Sequence, residues 1–341
     1  MGLFSLTQEL AMDLGTANII IMHNDKIIVN EPSIIAISNK SNKMVAVGNQ
    51  AKLMYEKTNK DLRVVRPLRN GVIADFDACE QLMRGLIGMV DTGRRLFSPS
   101  LKMVIGVPSG STEVELRAVR DSAEHAGGRE VYMLFEPMAA AIGIGIDVLA
   151  PEGNMIVDIG GGTTEIAIIS LGGLVSNISV KVAGDDFTAD IQEYMGRQHN
   201  VKVSERMAER IKINVGAAMT ELDEDEAPED YIVSGPNRIT ALPMSIPVCY
   251  QEIAHCLDRS ISKLESAILN SLENTPPELY ADILKNGIYL SGGGSMLRGI
   301  CRRLSDKIGI EFHIANEPLL SVARGTGIAL KNVDRFPFLM R

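Results

Sequence analysis

Ala11-Met12-Asp13-Leu14-Gly15-Thr16-Ala17-Asn18 and Val157-Asp158-Ile159-Gly160-Gly161-Gly162-Thr163-Thr164-Glu165 are built alike, with Asp13 and Asp158 lying 145 positions apart. Each stretch has an apolar run ending in an aspartate, a turn of small and hydroxyl residues, and a second apolar run. That second run is Ile19-Ile20-Ile21-Met22 in one copy and Ile166-Ala167-Ile168-Ile169 in the other. Apolar runs flanking such a turn predict a β-hairpin. Both copies continue into a further turn and strand, at Asn24-Asp25 with Ile27-Ile28-Val29 and at Leu171-Gly172-Gly173 with Leu174-Val175. The likeness therefore covers three strands and predicts an internal duplication.

Two such turns facing each other across a cleft present backbone N–H groups from Gly15, Thr16, Gly161 and Gly162 to an anion, because glycine lets the main chain come close. A polyphosphate is the natural guest. Asp13 and Asp158 repel phosphate oxygens, so the pairing calls for a hydrated divalent cation between them, with Mg²⁺ the expected ion. Either stretch alone also reads as an ordinary hairpin turn containing Asp and Gly. The two together point to a metal–nucleotide site.

The 341 residues suffice for one large or two medium cores, and the duplication favours two. Cys79, Cys249, Cys256 and Cys301 show no CxxC spacing and the five histidines do not cluster with them, which argues against structural zinc and a disulfide framework. A net charge of −9, with no basic stretch interleaved with aromatics, excludes nucleic acid as the expected partner. No apolar run reaches the roughly 18 residues that span a bilayer. The expected protein is soluble or peripheral and works in a reducing cytoplasm. Glu221 to Asp230, broken by Pro228, reads as a solvated acidic loop.

Along the chain, Gln50 to Lys60 predicts a short helix, and Cys79 to Asp91 another through Leu82, Leu86, Met89 and Val90. Met103 to Val107 predicts a buried strand. Ser111-Thr112-Glu113 opens a capped helix that runs to Gly127-Gly128, with strand Val131 to Phe135 after it. Helices are expected near 186–198, 204–217 and 249–273, the last ending at Pro276-Pro277. Strand Gly287 to Leu290 leads into Ser291-Gly292-Gly293-Gly294-Ser295 and a helix from Met296 to Ile308, a third strand–glycine turn–helix of phosphate-binding type. Neither GxxxxGK[ST] nor GxGxxG occurs, which argues against P-loop and dinucleotide folds.

Five linked motifs, in order over nearly the whole chain, resemble those of the actin-like ATPases, and within them the bacterial shape-determining actins. They are Asp13 to Asn18, Glu136-Pro137-Met138-Ala139-Ala140-Ala141-Ile142-Gly143, Asp158 to Glu165, Leu290 to Gly294, and Val322-Ala323-Arg324-Gly325-Thr326-Gly327. The resemblance implies an α/β actin-like ATPase fold of two duplicated domains, each with a small subdomain, around a nucleotide cleft. Residues 1–35, 71–150 and 321–341 would form the first core and 36–70 its subdomain. Residues 151–185 and 250–320 would form the second core and 186–249 its subdomain. The cofactors implied are ATP or ADP with Mg²⁺.

Position by position, the resemblance makes Asp13 and Asp158 the holders of Mg²⁺ through water. It makes Gly15, Thr16, Ala17, Asn18, Gly160, Gly161, Gly162, Thr163 and Thr164 the phosphate cradle. Glu136 would position the attacking water, assisted by Thr163, since phosphoryl transfer needs orientation more than a strong base. Glu209 and Lys212, one turn apart on a helix, would grip the nucleoside, with Gly292, Gly293 and Gly294 flanking it. Without the resemblance, Glu136 reads as a helix-start carboxylate, and Glu209 with Lys212 as a surface ion pair. The chain departs from the family pattern at Ile19, where a hydroxyl residue is usual, and at Phe135, where a second carboxylate is frequent.

The family role implies a homopolymer at the inner face of the cell membrane, working with membrane proteins of the wall-elongation machinery to maintain rod shape. Arg94-Arg95-Leu96-Phe97-Ser98-Pro99 fits this, placing Leu96 and Phe97 in an expected loop beside basic Arg94, Arg95 and Lys102. Each apolar side chain contributes roughly 1.5–3 kcal/mol on burial, and each basic neighbour about 1 kcal/mol near anionic lipid. One copy binds weakly, whereas a filament binds through avidity. The apolar stretch at residues 1–6 is a second candidate anchor. A small-molecule kinase or a nucleotide-gated scaffold on the same fold are the alternatives.

Overall fold

The computed structural model describes residues 7–57, 59–90 and 100–341. The chain opens with three antiparallel strands, β1 (Thr7–Leu14), β2 (Asn18–His23) and β3 (Lys26–Pro32). A small antiparallel sheet follows, β4 (Ile35–Ser38), β5 (Met44–Val47) and β6 (Leu62–Val65), with helix α1 (Gly48–Met54) packed on it. The two-residue strands β7 (Leu68–Arg69) and β8 (Val72–Ile73) pair around the turn at Asn70-Gly71. Next come α2 (Phe76–Ile87), β9 (Ser100–Val107), α3 (Glu113–His125), β10 (Gly128–Phe135) and α4 (Glu136–Gly143).

The second half repeats the plan with β11 (Asn154–Ile159), β12 (Thr164–Ser170) and β13 (Gly173–Val180), then α5 (Gly184–Gln198) and α6 (Glu205–Val215). A hairpin of β14 (Tyr231–Pro236) and β15 (Pro243–Val248) leads to α7 (Tyr250–Glu273), α8 (Pro277–Asn286), β16 (Ile288–Ser291), α9 (Ile300–Ile308), β17 (Phe312–Ile314) and α10 (Ser321–Lys331).

The two five-stranded sheets have the orders β10-β9-β1-β2-β3 and β17-β16-β11-β12-β13. In each, the aspartate-bearing strand is central, antiparallel to its hairpin partner and parallel to a strand from later in its half. Asp13 pairs with Ile20 and Asp158 with Glu165, so the duplication holds residue for residue through the hairpin and extends from three strands to five. Each sheet has its own core, one around Met12, Leu82 and Ile105, the other around Val157, Ile191 and Leu264. The stripe Ile253, Leu257, Ile261, Leu264, Ile268 and Leu272 of α7 is buried as its spacing predicts.

A third core joins the halves, formed by α4 and α10 with Ala11 and Val104 of one sheet and Ile156 and Ile169 of the other. The two helices cross at backbone contact. A Cβ added at Gly143 would lie 1.9 Å from the carbonyl oxygen of Ser321, and one at Gly325 would lie 1.7 Å from that of Ala139. Only glycine fits at either position.

Several elements differ from expectation. The helix expected over Gln50 to Lys60 is α1, earlier and shorter, with Tyr55 leaving helical geometry. Pro276-Pro277 ends α7 but also starts α8, because proline is tolerated in a first helical turn. The helix expected from Met296 begins only at Ile300. Gly293–Met296 is a 3₁₀ turn, and Gly299, at φ 71°, breaks the path before α9. The β14–β15 hairpin was not anticipated. Among the described residues, no helix is long and apolar enough to cross a membrane.

Candidate functional site

A cleft of about 1030 Å³ lies between the halves, lined from the first by Asp13, Gly15 to Asn18 and Glu136, and from the second by Asp158, Gly160 to Thr163 and Gly292 to Gly294. That is ample for a nucleoside polyphosphate. The two glycine-bearing turns meet at its base. A Cβ on Gly161 would come within 2.6 Å of Ala17 Cβ, and one on Gly162 within 2.8 Å of Thr16 Cγ2 and 2.9 Å of the Asn70 backbone nitrogen. The absence of side chains there lets the two turns pack together with their backbone bordering the cleft. Thr16 is tied down by accepting, at Oγ1, a hydrogen bond from the Gly71 backbone N–H at 3.1 Å.

Three carboxylates converge on this base. Burial, and then the charge of Asp158, push Asp13 up to about 7. Burial pushes Asp158 up to about 6, with the Ser291 hydroxyl opposing it and Glu165 adding to it. Asp158 is 5% exposed, and its buried Oδ1 has no hydrogen-bond partner among the described residues. Glu136 starts α4 at the seam between the halves. Burial, then Glu165, Asp13 and Asp158, hold its carboxyl well above the usual carboxylate range. A pair of facing carboxylates with an unpartnered buried oxygen is an arrangement that a cation relieves.

Another wall carries Glu209 and Lys212 on α6. Lys212 Nζ pairs with Glu209 Oε2 at 2.7 Å and donates to the Gly184 carbonyl at 2.8 Å and to Thr188 Oγ1 at 3.0 Å. Thr188 in turn donates to Glu209 at 2.6 Å. The network locks both long side chains and holds Glu209 below its usual range through Lys212, against its own burial. The pair is therefore a built part of the cleft wall and not a loose surface ion pair. Gly292 to Gly294 also line the cleft, Gly292 at φ 80° leading into the 3₁₀ turn Gly293–Met296 and not into a long helix.

A bridge that the sequence does not announce joins the two halves. Arg66, after β6, contacts Asp185 at 2.7 Å and Glu205 at 2.8 Å, and Tyr55 donates to Glu205 at 3.0 Å. All four residues line the cleft. Their partners are 119 to 150 positions distant, so no local spacing announces them.

One residue of the expected phosphate cradle does not line the cleft. Thr164 is wholly buried, and its hydroxyl donates to the Val182 carbonyl at 2.7 Å, so its side chain serves the second sheet and not the phosphate cradle. Leu96, Phe97 and residues 1–6 lie outside the described residues. Of the two departures from the family pattern, Ile19 is wholly buried in the first core, facing away from the cleft, and Phe135 packs against both the first core and the seam.

The sequence profile of the MreB/Mbl protein family matches residues 7–337. The chain is 40% identical over 331 residues to a cell shape-determining protein Mbl of Bacillus cereus, covering 97% of this chain and 98% of that one. Its structure superposes on that of MreB 5 of Spiroplasma citri bound to AMPPNP with a TM-score of 0.89, at 35% identity and covering 96% and 97% of the two chains. The MamK double helical filament shares the fold, with a TM-score of 0.77 at 20% identity over 97% of this chain and 100% of that one.

Proposed function

Because this chain belongs to the MreB/Mbl protein family and has the actin-like fold, we propose that it binds ATP in the cleft, hydrolyses it slowly and polymerises. The filaments would lie on the inner face of the cell membrane and direct wall synthesis to maintain rod shape. The observation that carries this reading is the packing of Gly161 and Gly162 against Ala17 and Thr16 beside Asp13 and Asp158, in a cleft whose other wall holds Glu209 and Lys212. The AMPPNP complex of the Spiroplasma relative supports nucleotide as the ligand.

The residues at the base fit a hydrated Mg²⁺, held through water by Asp13 and by the unpartnered Oδ1 of Asp158. When bound, the ion supplies positive charge that offsets the phosphates. Backbone N–H groups of Gly15 to Asn18 and Gly160 to Thr163 bind phosphate oxygens. Glu209 and Lys212 hold the nucleoside against Gly292 to Gly294. Glu136, at the seam, orients the attacking water, with Thr163 beside it. A carboxyl with so high a proton affinity is suited to orienting water through hydrogen bonds. We assign the four-part division at residues 36, 71, 151, 186, 250 and 321 to the bodies that move as the cleft opens. Leu96 and Phe97 serve as the lipid contact, with residues 1–6 as a second anchor.

The test is phosphate release from Mg-ATP, together with electron microscopy on an anionic lipid monolayer with and without nucleotide. Nucleotide-dependent filaments lying on the lipid are expected. A folded monomer that binds ATP yet never assembles at any salt or lipid composition sinks the filament reading in favour of a kinase or a nucleotide-gated scaffold.

A further inference from the structure

Glu165 has no role in the binding scheme above, although it lies close to it. Its side chain is wholly buried and does not line the cleft. Among the described residues its hydrogen-bond partners are all neutral. Oε2 accepts from the Ser109 backbone N–H at 3.1 Å and from the Ser109 hydroxyl, and Oε1 accepts from the Ser179 hydroxyl at 2.6 Å. A buried carboxylate without a cation beside it is destabilising relative to an apolar side chain of similar volume.

The duplication supplies that apolar side chain. Seven positions after the aspartate, the first copy has Ile20 where the second has Glu165, and each is the cross-strand partner of its own aspartate. The hairpin therefore tolerates an apolar residue here, and packing alone does not account for the carboxylate. Cross-strand partners share a face of the sheet, so Glu165 stands beside Asp158.

Ser109 belongs to the other half, just past the end of β9. Its neighbour Gly110 lies directly on β13, where an added Cβ would be 2.9 Å from Ser179 Cβ. Glu165 thus ties the loop after β9 to the second sheet beneath the cleft. Among the charges around Glu136, that of Glu165 acts on it most strongly.

We propose that Glu165 is a positioning residue for ATP hydrolysis, fixing Ser109 of one half against Ser179 of the other and so setting the closed end of the cleft at which Glu136 meets the attacking water. The inference rests on reading the cleft as an ATPase. In that reaction the water oxygen bonds to the γ-phosphorus, the bond from that phosphorus to the β–γ bridging oxygen breaks, and the water proton passes to a phosphate oxygen. Glu165 acts through its neighbours and forms no bond to the nucleotide.

The test is the full-length E165Q variant, which keeps the side-chain size and one oxygen acceptor. Its kcat for phosphate release at saturating Mg-ATP should fall about tenfold or more, with affinity for a fluorescent ADP analogue within about twofold and melting temperature not lowered. S109A, which removes only the hydroxyl from the opposite half, should lower kcat about threefold with the same unchanged affinity, and it decides the matter if E165Q does not fold. Turnover at the wild-type rate in the folded variants overturns the proposal, as does a loss of affinity and melting temperature in step with kcat. A wild-type protein that binds Mg-ATP but releases no phosphate overturns the ATPase reading and this inference together. Wild-type hydrolysis with an equally active E165Q overturns this inference alone.

Discussion

Asp13 and Asp158 bind protons more tightly in the folded chain than free carboxylates do, because burial disfavours their charge and, at Asp13, the charge of Asp158 disfavours it further. A raised carboxylate pKa contributes stability below the ordinary range near 4 and loses it as pH rises through the folded values. For these residues that window runs from about 4 up to the folded values of about 6 and about 7. Nucleotide-free protein should therefore lose stability across it. Mg-ADP supplies the compensating cation, so the rise in melting temperature on adding Mg-ADP should be larger at pH 8 than at pH 5.5. A thermal-shift series that finds it independent of pH counts against both aspartates as the cation site. Glu136 tests the chemistry separately from binding. Glu136→Ala should lower phosphate release about a hundredfold, within the range that a positioned acid–base group contributes. Fluorescent nucleotide affinity should stay near wild type, and equal phosphate release from both proteins would show that the water is oriented by another group.

Strand and helix placement followed local chemistry wherever one face of an element met one core. Helix α3 begins where Thr112 and Glu115 form a reciprocal cap, as the Ser-Thr-Glu opening indicates, and α7 follows its apolar stripe. The β14–β15 hairpin is hidden in the sequence because Gly235, Pro236, Pro243 and Pro247 interrupt its strands, and such residues read as turn or breaker signals. Helix α8 was hidden by a proline pair that reads as a stop. The α4–α10 crossing matters most among the elements, since it carries Glu136 and joins the halves. In Gly325→Ala the new methyl would meet the Ala139 carbonyl, a backbone atom that no rotamer change can clear. The expected cost is about 3 kcal/mol, seen as a melting temperature lowered by roughly 4 °C. A variant that melts with wild type would show that the helices can separate freely at this point.

The two halves touch across the cleft through Arg66, whose side chain is only 15% exposed between Asp185 and Glu205. Asp185 also donates its backbone N–H to the Gly161 carbonyl at 2.7 Å, and Glu205 opens the helix that carries Glu209 and Lys212. The bridge is therefore mechanically continuous with both ends of the nucleotide site. Arg66→Ala should release a fluorescent ADP analogue about tenfold faster, because opening then costs two fewer charge-assisted contacts. An unchanged release rate in stopped flow would separate the bridge from nucleotide exchange. On the proposed function, membrane attachment is a property of the assembled polymer. A Leu96→Ser, Phe97→Ser double variant should still assemble with Mg-ATP but no longer sediment with anionic vesicles, since avidity multiplies a weak contact and cannot replace a lost one. Assembly-dependent sedimentation at the wild-type level would move the lipid contact elsewhere.

The sequence by itself determined the duplication, the two aspartates and the glycine turns, because they are written in short runs of consecutive residues whose backbone chemistry is local, whereas the role of Glu136 rests on the resemblance to the actin-like ATPases. The spacing of Glu209 and Lys212 is local too, since one helical turn brings them together. Only the tertiary structure decided that Thr164 turns into the second sheet, that Gly293–Met296 forms a 3₁₀ turn ahead of α9, and that Arg66, Asp185 and Glu205 meet at the cleft. It also decided that Glu165 reaches Ser109 across the halves. The last two are contacts between residues far apart in the chain, whose partners are chosen by how two separately formed cores are docked.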